Sequence, residues 1–296
     1  MPVLWKKPRM DSFLKITVMR NKILCCGMLL LSACTLQTQD SSNPIHSVAY
    51  PNEQFDKIGE IPVPKGFARI TVQAGSFGEW LRMIKLKKDS RVFLYNGSLK
   101  SNQSAQFAVL DMPVGNKDLQ QCADAIMRLN AEYAFARNDF NAISFHATDG
   151  TLISFAEWRN GKRYKPAGNK LISFYTNSQP PALRSDFENY LETVFTYAGT
   201  TSLSRELTAV NDVSDIEPGN VFVKPGFPGH AMIVVDVAEN NKGEKLFMLT
   251  QSYMPAQDIH LVKNPANENG DPWYKTGDVI VTPEWTFTSE QLKKKP

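Results

Sequence analysis

The sequence predicts an α+β fold in which helices precede a largely antiparallel sheet. Residues 119–133 place apolar side chains three and four positions apart, which is the period of a helix with one buried face. The last third of the chain instead alternates short apolar runs with turn residues, which is typical of strands. No internal repeat or low-complexity block interrupts this order. We therefore expect one α+β domain over residues 60–296.

The first 33 residues have the features of a targeting signal rather than of a folded domain. Arg20 and Lys22 form a basic start, and a short apolar run follows over residues 23–31. A helix that spans a bilayer needs about 20 apolar residues, so this run is too short to be one. We expect residues 1–33 to be a signal peptide that is removed, with residues 1–18 as an upstream start that is not used.

Cys34 ends the signal in a pattern that indicates lipidation. The tetrapeptide LSAC, residues 31–34, resembles the bacterial lipobox. That resemblance implies cleavage before Cys34 and attachment of lipid to its sulfur. The bilayer is then a partner of the protein, and the polar residues 34–59 form a linker from the anchor to the domain. The expected location is the bacterial cell envelope, and Thr35 after the cysteine, in place of an acidic retention signal, favours the outer membrane.

Removal of the signal changes the charge of the chain. The whole sequence has 33 basic and 30 acidic residues and a net charge of +3. Six of the basic residues and one of the acidic residues lie in the first 33 positions, which leaves 27 basic and 29 acidic residues and a net charge of −2. Binding to nucleic acid by charge needs a clustered basic face, so we expect no nucleic-acid partner.

The elements before residue 117 are predicted to be short. Ser76 with Glu79 three residues later forms a capping-box pattern, which predicts a short helix after Ser76. Asn96-Gly97 marks a turn. Strands are expected over 67–72, 91–97 and 106–114.

The clearest helix is predicted over residues 118–135. Asp118 is the expected cap, and Gln121 stands at the third helical position. Asp124 and Arg128, four apart, are expected to pair on its surface. The apolar stripe of this helix includes a cysteine in the first turn and is formed by Leu119, Cys122, Ile126, Leu129 and Tyr133.

Alternating patterns predict the remaining elements. Helices are expected over 186–198, closed by Gly199, and near 203–207. Strands are expected over 142–148, 152–158, 220–226, 230–239, 244–254 and 279–287.

An early helix that begins near a cysteine, followed much later by a strand that begins with a histidine, can form a nucleophile–base pair. Cys122 is the only cysteine after Cys34, so it has no partner for an intramolecular disulfide. A helix N-terminus lowers the pKa of a nearby thiol, and the thiolate is the nucleophile. His230, after the turn PGFPG, is the predicted general base.

Strand geometry identifies Gln251 as the residue that orients the imidazole. Asp236 shares a face with His230 but lies six residues away, roughly 20 Å along a strand. If Ala238 pairs with Lys245 across a hairpin, His230 faces Tyr253, and Gln251 is its diagonal neighbour on the same face. A slip of one residue would place Gln251 on the opposite face.

The segment PGNVFVKPGFPGHAMIVVDVAEN resembles the histidine-bearing strand of NlpC-like cell-wall peptidases, which are papain-like. That resemblance implies a papain-like helix packed on an antiparallel sheet, with Cys122, His230 and Gln251 as the catalytic residues. The context QQCADA departs from the usual DCSG, and 108 positions separate the cysteine from the histidine. The segments DLQQCADAIMRLNAEY, PGFPGHAMIVVDVAEN and QSYMPAQDIH are similar to an uncharacterised bacterial lipoprotein family, a domain of unknown function.

Two functions remain open at this level, beside a third possibility, a purely structural envelope protein, which is favoured if no groove reaches Cys122. The first is a cysteine hydrolase or amidase that acts on cell-wall peptides, with peptidoglycan as its partner. The second is a non-catalytic binding module of the same fold, in which Cys122 is buried and inert. Its groove would be lined by aromatic side chains, namely Trp158, Tyr253, Trp273 and Trp285.

Other chemistries lack their usual motifs. HExxH, CxxC, GxSxG and phosphate-binding glycine loops do not occur, so we expect neither a metal nor a cofactor. His146 and Asp149 beside a turn give only a weak metal signal, and His260 stands alone in the sequence. Gln120 and Gln121 are candidates for an oxyanion site or for helix capping.

Overall fold

The computed structural model describes residues 54–177 and 183–296. The predicted signal peptide, Cys34 and the linker up to residue 53 lie outside these residues. Phe55 already packs against Phe107, Lys57 bridges to Lys85 and Ile58 is fully buried, so packing extends before the expected start of the domain at residue 60. The helices are α1 (Phe77–Met83), α2 (Cys122–Ala136), α3 (Phe155–Arg159), α4 (Leu183–Tyr197) and α5 (Thr200–Glu206).

The strands are short except for two long ones in the last third of the chain. Before that third lie β1 (Phe67–Arg69), β2 (Gln106–Val109), β3 (Ser144–His146), β4 (Leu152–Ser154), β5 (Lys162–Ala167) and β6 (Lys170–Tyr175). The others are β7 (Thr208–Ala209), β8 (Val221–Lys224), β9 (His230–Asn240), β10 (Lys245–Gln251), β11 (His260–Val262), β12 (Trp273–Lys275), β13 (Val279–Val281), β14 (Thr286–Thr288) and β15 (Leu292–Lys294).

A nine-stranded antiparallel sheet is the centre of the described fold. Its order is β2-β11-β10-β9-β8-β15-β7, with β1 beside the end of β9 and β12 beside the start of β10. Three two-stranded sheets accompany it, namely β3–β4, β5–β6 and β13–β14. The predicted α+β class is confirmed.

Both faces of β9 are covered, which explains its almost continuous apolar sequence. Ala231, Ile233 and Val235 belong to the cluster on the helical side, which includes Ile126 of α2. Met232 and Val234 belong to a second cluster, with Phe287 of β14. A strand buried on both faces cannot show a polar face, so alternation is absent from its sequence.

A β-bulge in β9 changes the pairing register along the hairpin. Near the turn Leu246 pairs with Ala238, one residue from the predicted register. The register shifts between Met248 and Leu249, after which Thr250 pairs with Ile233. Beyond the bulge the register is therefore the predicted one. A bulge adds one residue to one strand and restores the alignment in this way.

Several element boundaries differ from the sequence predictions. Helix α2 begins at Cys122, four residues after the expected cap Asp118. The Asp118 carboxylate does not cap the helix, because it accepts hydrogen bonds from the side chain of Gln121 and from Ala256 N. Residues 91–97 form only isolated bridges rather than a strand. The β5–β6 hairpin was missed. Ser76 caps α1 as predicted, since its side chain accepts from Glu79 N.

The buried carboxylate of Asp236 joins the sheet to α1 and β1. Asp236 is fully buried, and its two oxygens accept from Arg69 Nε and Arg82 Nε, each at 2.6 Å. The same guanidinium groups donate to the carbonyl oxygens of Ile61 and Ile70. Both oxygens of Asp236 are thus engaged by arginines, which agrees with the prediction that Asp236 does not orient His230.

No helix within residues 54–177 and 183–296 has both the length and the apolar character needed to cross a bilayer.

Replacement of Asp236 by alanine should lower the free energy of unfolding by about 3 kcal/mol, because two partly buried arginines lose their shared carboxylate. Urea denaturation followed by circular dichroism measures this change. The matched control is Asp89→Ala, which removes an exposed ion pair with Arg91. It should leave the urea midpoint unchanged. Equal midpoints for the two variants would contradict the role assigned to Asp236.

Candidate active site

The turn before His230 requires glycine for steric reasons. A Cβ atom on Gly229 would overlap the Gly226 carbonyl oxygen and would lie 2.7 Å from Thr200 Oγ1 and 2.8 Å from the Lys224 carbonyl oxygen. Gly226 has a φ of +106°, which also favours glycine. The loop therefore passes close to α5 and delivers His230 to the first position of β9.

His230 contacts Gln251 across the two long strands. His230 Nε2 lies 2.8 Å from Gln251 Oε1. The contact is the diagonal one that the predicted register requires, and the bulge is the reason that it forms. The imidazole ring also lies 4.9 Å from the ring of Tyr253, 5.2 Å from Trp285 and 5.9 Å from Phe287, measured between centroids.

The Gln251 amide is fixed by groups on its other side. Gln251 Nε2 donates to Glu284 Oε2 at 2.7 Å and lies 3.3 Å from His260 Nε2. Lys100 Nζ donates to the same Glu284 oxygen at 2.6 Å. His260 Nδ1 lies 2.9 Å from the carbonyl oxygen of Asp258. These side chains form a continuous buried network from Lys100 to His230.

The network determines which nitrogen of each imidazole carries the proton. The Glu284 carboxylate only accepts hydrogen bonds, so the nitrogen of the Gln251 amide must face it and the oxygen must face His230. His230 therefore donates from Nε2 and keeps a lone pair on Nδ1. By the same argument His260 donates from Nδ1 to Asp258 and accepts at Nε2.

Burial favours the neutral form of both histidines. His230 is 1% exposed and His260 is fully buried. Desolvation lowers the pKa of His230 to about 4, against an opposing effect of the Gln251 hydrogen bond, and Lys100 lowers it further. Desolvation, then the charge on Lys100, lowers the pKa of His260 to about 3. At neutral pH His230 is therefore a neutral base.

Cys122 is the first residue of α2, and the segment before it docks on the end of β10. The Gln121 backbone N–H donates to Asp124 Oδ2 at 3.0 Å, which caps the helix. Ser252 Oγ lies 2.9 Å from the carbonyl oxygen of Gln120 and 2.8 Å from that of Gln257. Ser252 follows Gln251 directly, so the helix N-terminus meets the sheet next to the His230–Gln251 contact.

Tyr253 lies near both the thiol and the imidazole. Its ring packs on His230. Burial raises the pKa of Tyr253, and the nearby acidic groups of Glu284 and Cys122 raise it further. Cys122 itself is buried, with 7% of its surface exposed.

The polar residues around the start of α2 are buried rather than on the surface. Arg128 does not form the expected surface pair with Asp124; it donates to Gln120 Oε1 at 2.7 Å and to the Pro113 carbonyl oxygen at 2.8 Å. Gln120 Nε2 is buried and has no hydrogen-bond partner among the described residues. It is thus an available N–H donor two positions before the cysteine.

A cavity of about 700 Å³ adjoins this region. It is bordered by Gln120, Arg128 and the loop of residues 113–117, but by none of Cys122, His230 and Gln251. The hydrogen-bond network, and not the cavity, therefore defines the candidate site.

The structure separates the other residues singled out in the sequence. Trp158 and Trp273 are buried and donate to Asp186 and to Pro62, away from His230, so they do not line a groove with Tyr253 and Trp285.

The weak metal signal at His146 has no support in the described part of the chain. His146 binds Glu206, and no group of three or more His, Cys, Asp or Glu side chains among the described residues could hold a metal ion.

Sequence patterns did not point to Lys100 or Glu284, and His260 was not assigned to the network. Lys100 follows a bridge between Phe93 and Leu99, and Glu284 lies in the turn between β13 and β14. Charged residues beside turns are common, so neither position carries a local signal. Only the tertiary fold shows that Glu284 and Lys100 are 14% and 7% exposed and share one hydrogen bond.

The two buried histidines should make the protein sensitive to acid. Their folded pKa values lie below the unfolded value of 6.5, so the unfolded chain binds more protons as the pH falls below 6.5. The contribution of the two histidines to the free energy of unfolding is complete above pH 6.5 and is lost as the pH falls towards 4. His260→Gln removes one of these two groups. Between pH 6.5 and about 5, the free energy of unfolding of this variant should therefore fall by about 2 kcal/mol less than that of the wild type. Urea titrations of both proteins at the two pH values measure it, and parallel pH profiles would contradict the assignment.

Comparison with known proteins identifies a family for this chain. No curated protein and no solved structure matches it. A family model described as "Domain of unknown function (4846)" matches residues 59–294, which include all of the network residues. The chain therefore belongs to that family.

Proposed function

We propose that this protein is an envelope-anchored cysteine hydrolase or amidase of papain-like architecture. Cys122 is the nucleophile, His230 the general base, and Gln251 the residue that orients the imidazole. The substrate is an amide, with cell-wall peptides as the expected class, because a lipid on Cys34 would hold the domain near the wall.

The observation that carries this proposal is the hydrogen bond between His230 and Gln251. With the proton on Nε2 and Gln251 Oε1 as its acceptor, the Nδ1 lone pair is the one that can accept a proton from a thiol. A neutral base is needed for that transfer, and burial keeps His230 neutral at pH 7. The docking of Gln120 on Ser252 brings the N-terminus of the helix to the same end of the sheet.

The proposed reaction has two balanced steps. The proton of the Cys122 thiol passes to His230 Nδ1 as the sulfur attacks the amide carbonyl carbon, and the same proton then leaves with the amine as the C–N bond breaks. Water next attacks the thioester and gives its proton to His230; the C–S bond breaks, and that proton returns to the sulfur. Gln120 Nε2 is the proposed donor to the oxyanion.

Burial of the site favours a second function, a non-catalytic binding module. Cys122 and His230 are both almost inaccessible. In addition, α2 packs on the face of β9 that contains Ala231 and Ile233, whereas His230 lies on the opposite face, with Phe287. The thiol and the imidazole can therefore meet only around the end of the strands, where Tyr253 lies. If they do not meet, Cys122 is inert.

The reactivity of Cys122 separates the two functions. Folded protein should be alkylated by iodoacetamide at Cys122 and should hydrolyse peptidoglycan fragments, because His230 can deprotonate the thiol. His230→Gln should slow alkylation at pH 7 by about 100-fold, since it removes the base. Mass spectrometry of the labelled peptide and chromatography of the fragments measure these outcomes.

Cys122→Ala is the control for this experiment and should abolish both labelling and cleavage. Unfolded wild-type protein gives the reference rate for an unassisted thiol. A thiol that reacts only after unfolding would exclude the hydrolase and leave the binding module.

The lipid anchor has a separate test. Cells that express the full chain and grow with an alkyne analogue of palmitate should label the protein, and Cys34→Ala should abolish the label and move the protein from the membrane to the soluble fraction. Cys122→Ala is the matched control, because it removes a cysteine without changing the lipobox. Retention of the label in Cys34→Ala would contradict lipidation at this residue.

A further inference from the structure

The side of Gln251 that faces away from His230 contains a buried ion pair. Lys100 Nζ and Glu284 Oε2 are 2.6 Å apart, and both side chains are largely removed from solvent. A buried ion pair contributes little net stability, because the desolvation of two charges offsets their attraction. Its position beside the Gln251 amide, which contacts His230, therefore indicates a role in the geometry of the site.

We infer that Glu284, held by Lys100, is a positioning residue that fixes the Gln251 amide and, through it, the tautomer of His230. The role of this tautomer in catalysis rests on the proposed function. The selection of the tautomer by Glu284 is independent of the proposed function. The chain of contacts is Lys100 Nζ to Glu284 Oε2, then Gln251 Nε2 to the same oxygen, then Gln251 Oε1 to His230 Nε2.

The alternative orientation of the Gln251 amide shows why an acceptor oxygen, held by Lys100, is needed beside it. If the Gln251 amide were reversed, its oxygen would face the Glu284 carboxylate, and two acceptors would meet without a proton between them. Its nitrogen would then donate to His230 Nε2, so the imidazole proton would move to Nδ1. An imidazole protonated on Nδ1 cannot accept a proton there, and a thiol that approaches Nδ1 would have no base.

The neighbours of Glu284 support the same orientation. Asn102 Nδ2 lies 3.4 Å from Glu284 Oε1, so a second donor faces the other oxygen of the carboxylate. His260 Nε2 accepts from Gln251 Nε2 because its own proton is on Nδ1, directed to Asp258. Trp285, the next residue after Glu284, packs against the His230 ring. One turn between β13 and β14 thus contacts both members of the His230–Gln251 pair.

Nitrogen-15 spectra of the imidazole rings test this inference directly. In the full wild-type chain labelled with ¹⁵N-histidine, His230 should be the Nε2–H tautomer at pH 7, and signals lost in His230→Gln assign it. The double variant Lys100→Leu/Glu284→Leu removes both charges together and should give a mixture of tautomers, with alkylation of Cys122 slowed by roughly tenfold. Glu284→Gln keeps an oxygen acceptor for Gln251 and should retain the wild-type tautomer.

Matched controls separate the ion pair from general effects on the fold. Lys162→Leu/Glu157→Leu removes another lysine–glutamate pair, with a 2.9 Å contact, far from β9 in the sequence and outside the central sheet. It should change neither the tautomer nor the alkylation rate.

The outcomes distinguish this inference from the proposed function. An Nδ1–H tautomer in the wild-type chain, or an unchanged tautomer in the folded Lys100/Glu284 double variant, overturns the inference even if Cys122 reacts. A Cys122 thiol that is inert in the folded wild-type chain, together with a tautomer that changes in the double variant, overturns the hydrolase and supports the positioning role. If the double variant does not fold, an Nδ1–H tautomer in the wild-type chain or in Glu284→Gln overturns the inference, and an Nε2–H tautomer in both supports it.

Discussion

The pairing of β9 with β10 is the constraint on which the candidate site depends. Side chains alternate between the two faces of a strand, so an error of one residue would place Gln251 on the face opposite His230. The hairpin near Leu246 has a register that would produce this error, and the bulge between the two ends corrects it. The site therefore depends on one additional residue in β9. A bulge adjacent to a functional centre is a common structural feature, since it changes the direction of a side chain without breaking the sheet.

Low dielectric surroundings govern the two buried polar centres around Asp236 and around Gln251. Around Asp236, two guanidinium groups compensate one carboxylate. Around Gln251, each hydrogen bond matches one donor with one acceptor, from the Lys100 ammonium to the His230 imidazole. Groups with no exposure to water must satisfy their hydrogen bonds within the protein, so a network of this kind has one favourable arrangement of protons. The neutral state of His230 follows from that arrangement and from burial.

Sequence reasoning identified the residues in contact at the centre of the site but not their environment. The His230–Gln251 contact was predicted because strand period and hairpin pairing relate residues that are close along two adjacent strands. Lys100 and Glu284 come from turns 184 positions apart, and no periodic pattern relates them. The burial of Cys122 was left open by its place on an apolar stripe, and packing decided it. Arg128 was expected on the surface because charged residues usually lie there, and its contact with Gln120 reversed that expectation.

The sequence by itself determined the α+β class, the helix that contains Cys122, the strands β8, β9 and β10 and the capping of α1, because these depend on local periodicity and on side chains within one turn of their targets. Only the tertiary structure decided the start of α2, the bulge, the two arginines on Asp236 and the network behind Gln251. Each of these depends on which of several hydrogen-bonding partners, distant in the chain, a polar group selects. The Asp118 carboxylate, for example, accepts from the backbone N–H of Ala256 and does not cap the helix. The outcome of such a competition depends on which groups the fold removes from water, and local sequence does not contain that information.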